Sequence, residues 1–274
     1  MLLDKLSGVD SADIDARIAS LSDGLNPYGY DKWGYSPALV RQSMTLMAWL
    51  YRRYWRVSCH GIDNVPPGRG LLIGNHSSQL AYDGLMVATA LFLDANPPRA
   101  VKAMIEKFFQ LQPFVNVWMA RTGQLTGLPE NAARLLNEEN LVMVFPEGAR
   151  GGGKTVWKRY QLQGFGQGFM RLALATKSPI IPFGFIGGEE TCPSLVDLKP
   201  VARLLGLPYA PITPTLLPLP LPAKCSIHFG EPMHFEGTGD EEDHDILDKV
   251  EQVRAAVAAL IERGLAERKG IFFG

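Results

Sequence analysis

Two short stretches hold the side chains whose types and spacing could do chemistry. The first is Gly74–Asn75–His76–Ser77–Ser78–Gln79–Leu80–Ala81–Tyr82–Asp83–Gly84. Before it, Gly70 to Ile73 reads as a short buried strand; after it, Gly84 to Leu93 (GLMVATALFL) reads as a buried helix. An imidazole, two serine hydroxyls, a phenol and a carboxylate thus fall at a strand-to-helix switch, where α/β sheets expose catalytic groups. The second stretch, Leu141–Val142–Met143–Val144–Phe145–Pro146–Glu147–Gly148–Ala149–Arg150, is an apolar strand ending in a tight turn. Arg150 offers a planar fork of donors suited to phosphate or carboxylate, and Glu147 is placed to orient it or to accept from a hydroxyl. Each stretch alone has an ordinary reading, a satisfied core histidine in one case and a surface ion pair in the other.

A competing motif overlaps the second stretch. Gly148–Ala149–Arg150–Gly151–Gly152–Gly153–Lys154–Thr155 fits G-x-x-x-x-G-K-[ST], the phosphate-cradling loop of nucleotide hydrolases, and it follows an apolar strand as such a loop does. Against it, Pro146 and Glu147 stand where the strand should run into the loop. No later apolar strand ends in an Asp to hold Mg²⁺; the nearest, Ile180 to Glu190, is interrupted by Pro182.

The elements that must position these groups follow from composition and periodicity. The chain has 274 residues, 46% hydrophobic and 20% charged, with net charge −1, which describes one globular domain with a sizeable core. That near-neutral balance gives no support for nucleic acid as a partner. Cys59, Cys192 and Cys225 are odd in number and lack C-x-x-C spacing, so neither a disulfide scaffold nor a zinc site is suggested, and a reducing cytosolic setting fits. No cofactor or metal is expected. Asn75–His76–Ser77 matches a glycosylation sequon, but no basic and apolar leader precedes it. No uninterrupted apolar run reaches the roughly 18 residues a membrane span needs.

Residues 1–37 read as an irregular arm rich in turn residues and aromatics. Pro37 to Arg56 reads as a helix with Val40, Met44, Met47, Tyr51 and Trp55 on one stripe and Arg41, Trp49, Arg52 and Arg56 on another, a pattern suited equally to a membrane headgroup boundary and to an ordinary packed helix with a solvated basic edge. Strands are expected near 56–60, 100–102, 123–126, 141–145, 179–185 and 225–229, and helices near 84–93, 104–119, 129–138, 164–176 and 243–268. Leu204 to Pro222, with six prolines, implies an extended excursion over the sheet. The domain division expected is 1–56 for the arm and amphipathic helix and 57–274 for the α/β domain.

Asn75–His76 with Asp83, then Phe145–Pro146–Glu147–Gly148–Ala149–Arg150, then Pro179–Ile180–Ile181–Pro182 resembles the ordered motifs of the glycerolipid and lysophospholipid acyltransferase family: NH-x-x-x-x-D, FPEG-[ST]-R and an apolar V-P-[IV]-[IV]-P block. The likeness covers about residues 55 to 235. It implies an acyltransferase-type α/β fold, a mixed central sheet flanked by helices with an N-terminal helical arm. It also implies transfer of an acyl group from acyl-CoA or acyl carrier protein to a lipid hydroxyl. On that resemblance His76 is the general base, Asp83 fixes its tautomer, and Glu147, Gly148 and Arg150 bind the acceptor's head, with a phosphate on Arg150. Lys102, Lys107, Lys154, Lys158 and Arg159 are candidates to meet CoA phosphates or anionic headgroups, with a solvated basic face the expected role of most of them. The enzyme is expected at a membrane surface without crossing it, acting on a lysophospholipid or on a neutral acceptor such as diacylglycerol or a fatty alcohol. A silent lipid-binding relative remains a further alternative.

Two departures stand out. Six residues separate His76 from Asp83 where the common pattern has four, and on a continuous helix that offset would rise about 10.5 Å, so the chain must fold Asp83 back. Gly123–Gln124–Leu125–Thr126–Gly127–Leu128–Pro129 carries no arginine where many glycerol-phosphate users have one.

Overall fold

The computed structural model describes residues 8–22, 24–77, 81–106, 112–198, 200–202, 209–214 and 220–272. The strands are β1 (Ser58–His60), β2 (Gly70–Gly74), β3 (Val101–Ile105), β4 (Gln124–Thr126), β5 (Leu141–Val144), β6 (Ile180–Ile186), β7 (Val196–Asp197), β8 (Pro211–Ile212) and β9 (Ser226–Phe229). Seven of them form one sheet in the order β1-β9-β6-β2-β5-β3-β4. The run from β6 to β4 is parallel, whereas β9 meets β6 antiparallel and carries β1 parallel beside it. The short β7 and β8 pair separately.

Helices cover both faces, which is why the central strands read as unbroken apolar runs instead of alternating. In β2, Leu72 faces one core and Leu71 and Ile73 the other, all with no exposure. The first face is covered by α1 (Ser11–Ser20), α2 (Pro37–Trp49), a π-helical turn (Leu50–Tyr54) and α3 (Tyr82–Leu93), through Ile14, Val40, Met44, Tyr51, Trp55, Met86 and Leu91. Further helices are α4 (Val115–Arg121), α5 (Pro129–Asn137), α6 (Ala149–Gly152), α7 (Gly168–Thr176), α8 (Gly188–Thr191) and α9 (Asp243–Glu267). Of these, α5, α7 and α9 fill the second core with Leu135, Leu136, Met170, Ala173, Val253 and Val257. Among the described residues no helix is long and apolar enough to cross a membrane.

Several expectations change on folding. The arm is not wholly irregular: Asp10 caps α1 by accepting from Ala12 N–H at 2.9 Å, and Ile14 enters the core. The apolar stripe of α2 packs as expected, but its arginines are engaged within the protein. Arg41 meets Asp15 and Arg52 meets Asp94, while Arg56 donates to the carbonyls of Tyr54, Pro222 and Phe272 at 2.7, 2.8 and 2.9 Å. Residues 101–105 are strand where a helix was expected from 104, and helix resumes only at Val115; part of the intervening stretch, Lys107 included, lies outside the described residues. Much of the proline-rich excursion lies outside them too, although Pro211–Ile212 forms β8. Pro182 does not interrupt β6. Antiparallel pairing with β9 begins only at Phe183, so the missing N–H costs that ladder no donor, and the Pro182 carbonyl accepts from Gly230 at 2.8 Å.

Candidate active site

Strand β2 delivers His76 to the carboxyl end of the sheet, and Asn75 fixes the delivery. Its buried amide donates to the Phe185 carbonyl at 2.9 Å and accepts from Phe185 N–H at 2.7 Å, which clamps the end of β2 to the end of β6. The longer spacing to Asp83 is absorbed without a continuous helix. His76 and Ser77 are irregular backbone, Ala81 takes a left-handed conformation (φ 55°), and α3 starts at Tyr82 with Asp83 in its first turn. His76 Nδ1 and Asp83 Oδ2 are then 2.7 Å apart. Asp83 has no exposure, and its oxygens also accept from Ser77 N–H at 2.7 Å and Gly84 N–H at 2.8 Å.

Burial works against charge on both partners, and the pair overcomes it. For His76, desolvation opposes the imidazolium, but the charge and hydrogen bond of Asp83, with the charge of Glu147, raise its pKa above 6.5. For Asp83, burial opposes the carboxylate, but His76 and the two backbone donors lower its pKa below 3.8. Phe145 stacks on the imidazole with centroids 4.6 Å apart and planes 26° apart, which fixes the ring's second degree of freedom.

The second motif meets the first through Glu147, in a role the sequence did not show. Glu147 is 1% exposed and does not contact Arg150. Its Oε1 accepts from His76 N–H at 3.0 Å, and its Oε2 accepts from Gln163 N–H at 2.8 Å and lies 3.4 Å from Lys154 Nζ. Lys154 also lies 3.0 Å from Glu189. This lysine is therefore a buried counter-ion and not a reader of CoA phosphates or headgroups. Lys102 is likewise buried, 2.6 Å from Asp31 and over the Tyr35 ring. Lys158 and Arg159 remain exposed beside the exposed Trp157.

Gly148 closes the turn, its N–H donating to the Phe145 carbonyl at 3.0 Å with φ 58°. The short α6 then passes against His76. A Cβ on Gly151 would come within 2.7 Å of Glu147 Cβ and 2.9 Å of His76 Cβ, and one on Gly152 within 3.1 Å of His76 Nε2 and 3.2 Å of the Tyr209 hydroxyl. Gly152 thus leaves space beside the nitrogen that Asp83 does not use, and Gly151 lets the turn pass against the His76 and Glu147 side chains. Tyr209, from the proline-rich excursion, is a site neighbour that no sequence signal marked; burial first, then the Asp83 charge, push its phenol up. Arg150 is exposed, with Nη2 3.3 Å from the Gly164 carbonyl.

The parallel-rich sheet thus carries a His–Asp pair after β2 and a glutamate–glycine–arginine turn after its neighbour β5. An acyltransferase family model matches residues 56–186. The chain belongs to that family and is an acyltransferase enzyme. Among its relatives, an uncharacterized protein of Mycobacterium tuberculosis is 37% identical over 263 residues, spanning 90% of this chain and 72% of its own length. Another, from Mycobacterium leprae, is 35% identical over 263 residues, with 90% and 71% coverage. The fold is similar to the crystal structure of the 1-acyl-sn-glycerophosphate (LPA) acyltransferase PlsC from Thermotoga maritima, with TM-score 0.54 and 18% identity over 85% of this chain and 80% of that one. The nucleotide-hydrolase reading of Gly148–Thr155 falls away, since Gly151 and Gly152 sit on His76 and Lys154 points into the protein.

Proposed function

We propose that this enzyme moves a fatty acyl group from a thioester, acyl-CoA or acyl carrier protein, to the hydroxyl of a lysophospholipid or related lipid. His76 acts as base through Nε2, because Nδ1 is committed to Asp83 at 2.7 Å, the observation that carries the reading. The acceptor hydroxyl gives its proton to Nε2 as its oxygen attacks the thioester carbonyl. The tetrahedral intermediate expels the thiolate, and the imidazolium returns the proton to that sulfur. Asp83 holds the tautomer and offsets the imidazolium charge. No acyl-enzyme is needed. Glu147 is a positioning residue that holds the His76 backbone, and Arg150 grips the acceptor's phosphate.

Trp157, Lys158 and Arg159 form an exposed aromatic and basic cluster on the segment that follows α6, suited to a peripheral contact with anionic headgroups. Three free cysteines suit a reducing, cytoplasmic setting. A neutral acceptor, diacylglycerol or a fatty alcohol, is the second reading; it is favoured by the arginine-free Gly123–Pro129 block, in which Leu128 is 38% exposed.

Arg150→Ala separates the two. With a phosphate acceptor the apparent acceptor KM rises far more than the donor KM, and Arg150→Lys restores only part of the loss, since a point charge does not reproduce the bidentate fork. An Arg150→Ala enzyme with unchanged KM for lysophosphatidic acid sinks the phosphate role. His76→Ala tests the base: retained thiol release would remove His76 from that role, whereas a parent protein that binds acyl-CoA or vesicles without releasing thiol would be only a lipid-binding protein.

A further inference from the structure

On the α9 face of the sheet, two to three strands from β2 in sheet order, two histidines and a carboxylate converge. His60 ends β1 in register with His228 of β9, the two strands running parallel. Their rings stack with centroids 4.6 Å apart and planes 17° apart. Helix α9 lies over them at Gly264, where a Cβ would sit 2.9 Å from Cδ2 and Nε2 of His228. Glu267, further along that helix, brings Oε2 to 3.9 Å from His228 Nδ1. His228 is 2% exposed, and this Nδ1 has no hydrogen-bond partner. Such a nitrogen has given up water and receives nothing in return from the protein. It borders a cavity of about 280 Å³ that His60 and Glu267 also line.

One donor atom from each of His60, His228 and Glu267 lies within 4.8 Å of the other two. We propose that the three residues bind one divalent transition-metal ion, with Zn²⁺ the best match. Two imidazole nitrogens and one carboxylate oxygen are its ordinary ligands, and water or a small anion takes the fourth position. Ligands at about 2.0–2.1 Å from a tetrahedral ion stand roughly 3.3 Å apart, so the donors need to close in by about 1.5 Å at most. Small rotations of the exposed His60 and the half-exposed Glu267 supply that movement.

The carboxylate is already oriented for the task. Arg263 Nε donates to Glu267 Oε1 at 2.9 Å and leaves Oε2 toward the histidines. Lys224, Arg268 and Lys269 also line the cavity. Of these Arg268 is committed elsewhere: it pairs with Glu190 at 2.9 Å and donates to the Tyr160 hydroxyl and the Lys224 carbonyl, each at 3.1 Å. The ion joins the end of β1, β9 and the last turns of α9, segments far apart in the chain, so its binding energy adds to folding and not to the acyl-transfer step.

The test is titration of chelator-stripped, full-length protein with Zn²⁺ alone, by calorimetry and by competition with a chromophoric chelator. The expected result is one ion per chain with Kd of about 1 µM or tighter, a higher Tm on saturation, and four-coordinate absorption bands when Co²⁺ replaces Zn²⁺. His60→Gln and Glu267→Gln, at exposed positions that do not threaten folding, should each weaken binding by about tenfold or more. His228→Gln should abolish it, and if that variant does not fold the two exposed ones decide. His244→Gln, whose exposed ring lies beside Asp245, should bind as the parent does. Binding weaker than about 100 µM, or affinity indifferent to both exposed substitutions, overturns the proposal.

Discussion

Replacing Asp83 by Asn removes one charge and almost no volume, and its consequences can be worked out from three donors. Oδ2 accepts from His76 Nδ1 and Ser77 N–H, both at 2.7 Å, while Oδ1 accepts from Gly84 N–H at 2.8 Å. An amide has only one accepting oxygen. With that oxygen toward Gly84, the NH₂ group opposes Ser77 N–H and turns Nδ1 into an acceptor, which puts the ring proton on Nε2 and blocks the base. With the oxygen toward His76 and Ser77, the NH₂ group opposes Gly84 N–H instead. Either way one buried N–H is orphaned, at about 1–3 kcal/mol of stability. The lost imidazolium partner, joined by the wrong tautomer in the first orientation, should lower kcat by about 10²–10⁴, or roughly 2.7–5.5 kcal/mol of barrier.

The pH profile makes the test specific. A base must be neutral, so in the parent the acid limb of kcat/KM should lie above the 6.5 reference, where Asp83 and Glu147 hold the His76 pKa against burial. In Asp83→Asn burial is opposed less, and the limb should move to lower pH while the plateau falls. Thiol release from acyl-CoA, followed across pH with a lysolipid acceptor, reads both. A variant with parental kcat, or with a reduced plateau and an unmoved acid limb, would refute the dyad.

Other substitutions probe the supports. Gly151→Ala places a Cβ 2.7 Å from Glu147 Cβ and 2.9 Å from His76 Cβ, so it should cost about 1–3 kcal/mol in denaturant unfolding and lower kcat more than KM. Lys154→Met leaves the Glu147 and Glu189 carboxylates without their buried cation and should destabilise the protein by about 3–5 kcal/mol near neutral pH; a parental Tm would remove the lysine from the site's framework. Burial raises the Glu189 pKa from 4.5 to about 7 although Lys154 opposes the shift, so the folded state holds the extra proton and this group's contribution to stability fades as pH rises through that interval. Glu189→Gln should flatten that part of the Tm–pH curve. Lys158→Glu with Arg159→Glu should reduce pelleting with anionic vesicles, whereas Arg56→Glu, which breaks three carbonyl contacts, should lower Tm; unchanged pelleting in the double variant would place the membrane contact elsewhere.

What could be read from the sequence was what lies close along the chain. The strand–polar–helix switch at Gly70–Leu93 and the strand–turn at Leu141–Arg150 are local patterns, and both motifs end up facing one another. Their division of labour was hidden because it depends on which side chain turns inward. Glu147 looks like a partner for Arg150 three residues on, yet its oxygens go to His76, Gln163 and Lys154. Lys102 and Lys154 look like solvated cations, but each finds a carboxylate that folding supplies, Asp31 for the first and Glu147 with Glu189 for the second. Asn75 gives no sign of its Phe185 clamp, and Tyr209 none of its place beside Gly152. Gathering of His60, His228 and Glu267 depends on β1 pairing with β9, an adjacency that no local period encodes.

The bonds Asn75 and His76 make to Phe185 and Glu147 span 110 and 71 residues of chain. Contacts of that sequence separation are slow to form, because loop closure must come before they return any energy. The His76–Asp83 contact itself spans only 7 residues and can assemble early, but its aim depends on the distant partners. A nascent chain released before β6 has docked would therefore carry the dyad without its alignment. Alignment of the dyad therefore waits on the docking of β6 beside β2 and does not come with the local contact itself.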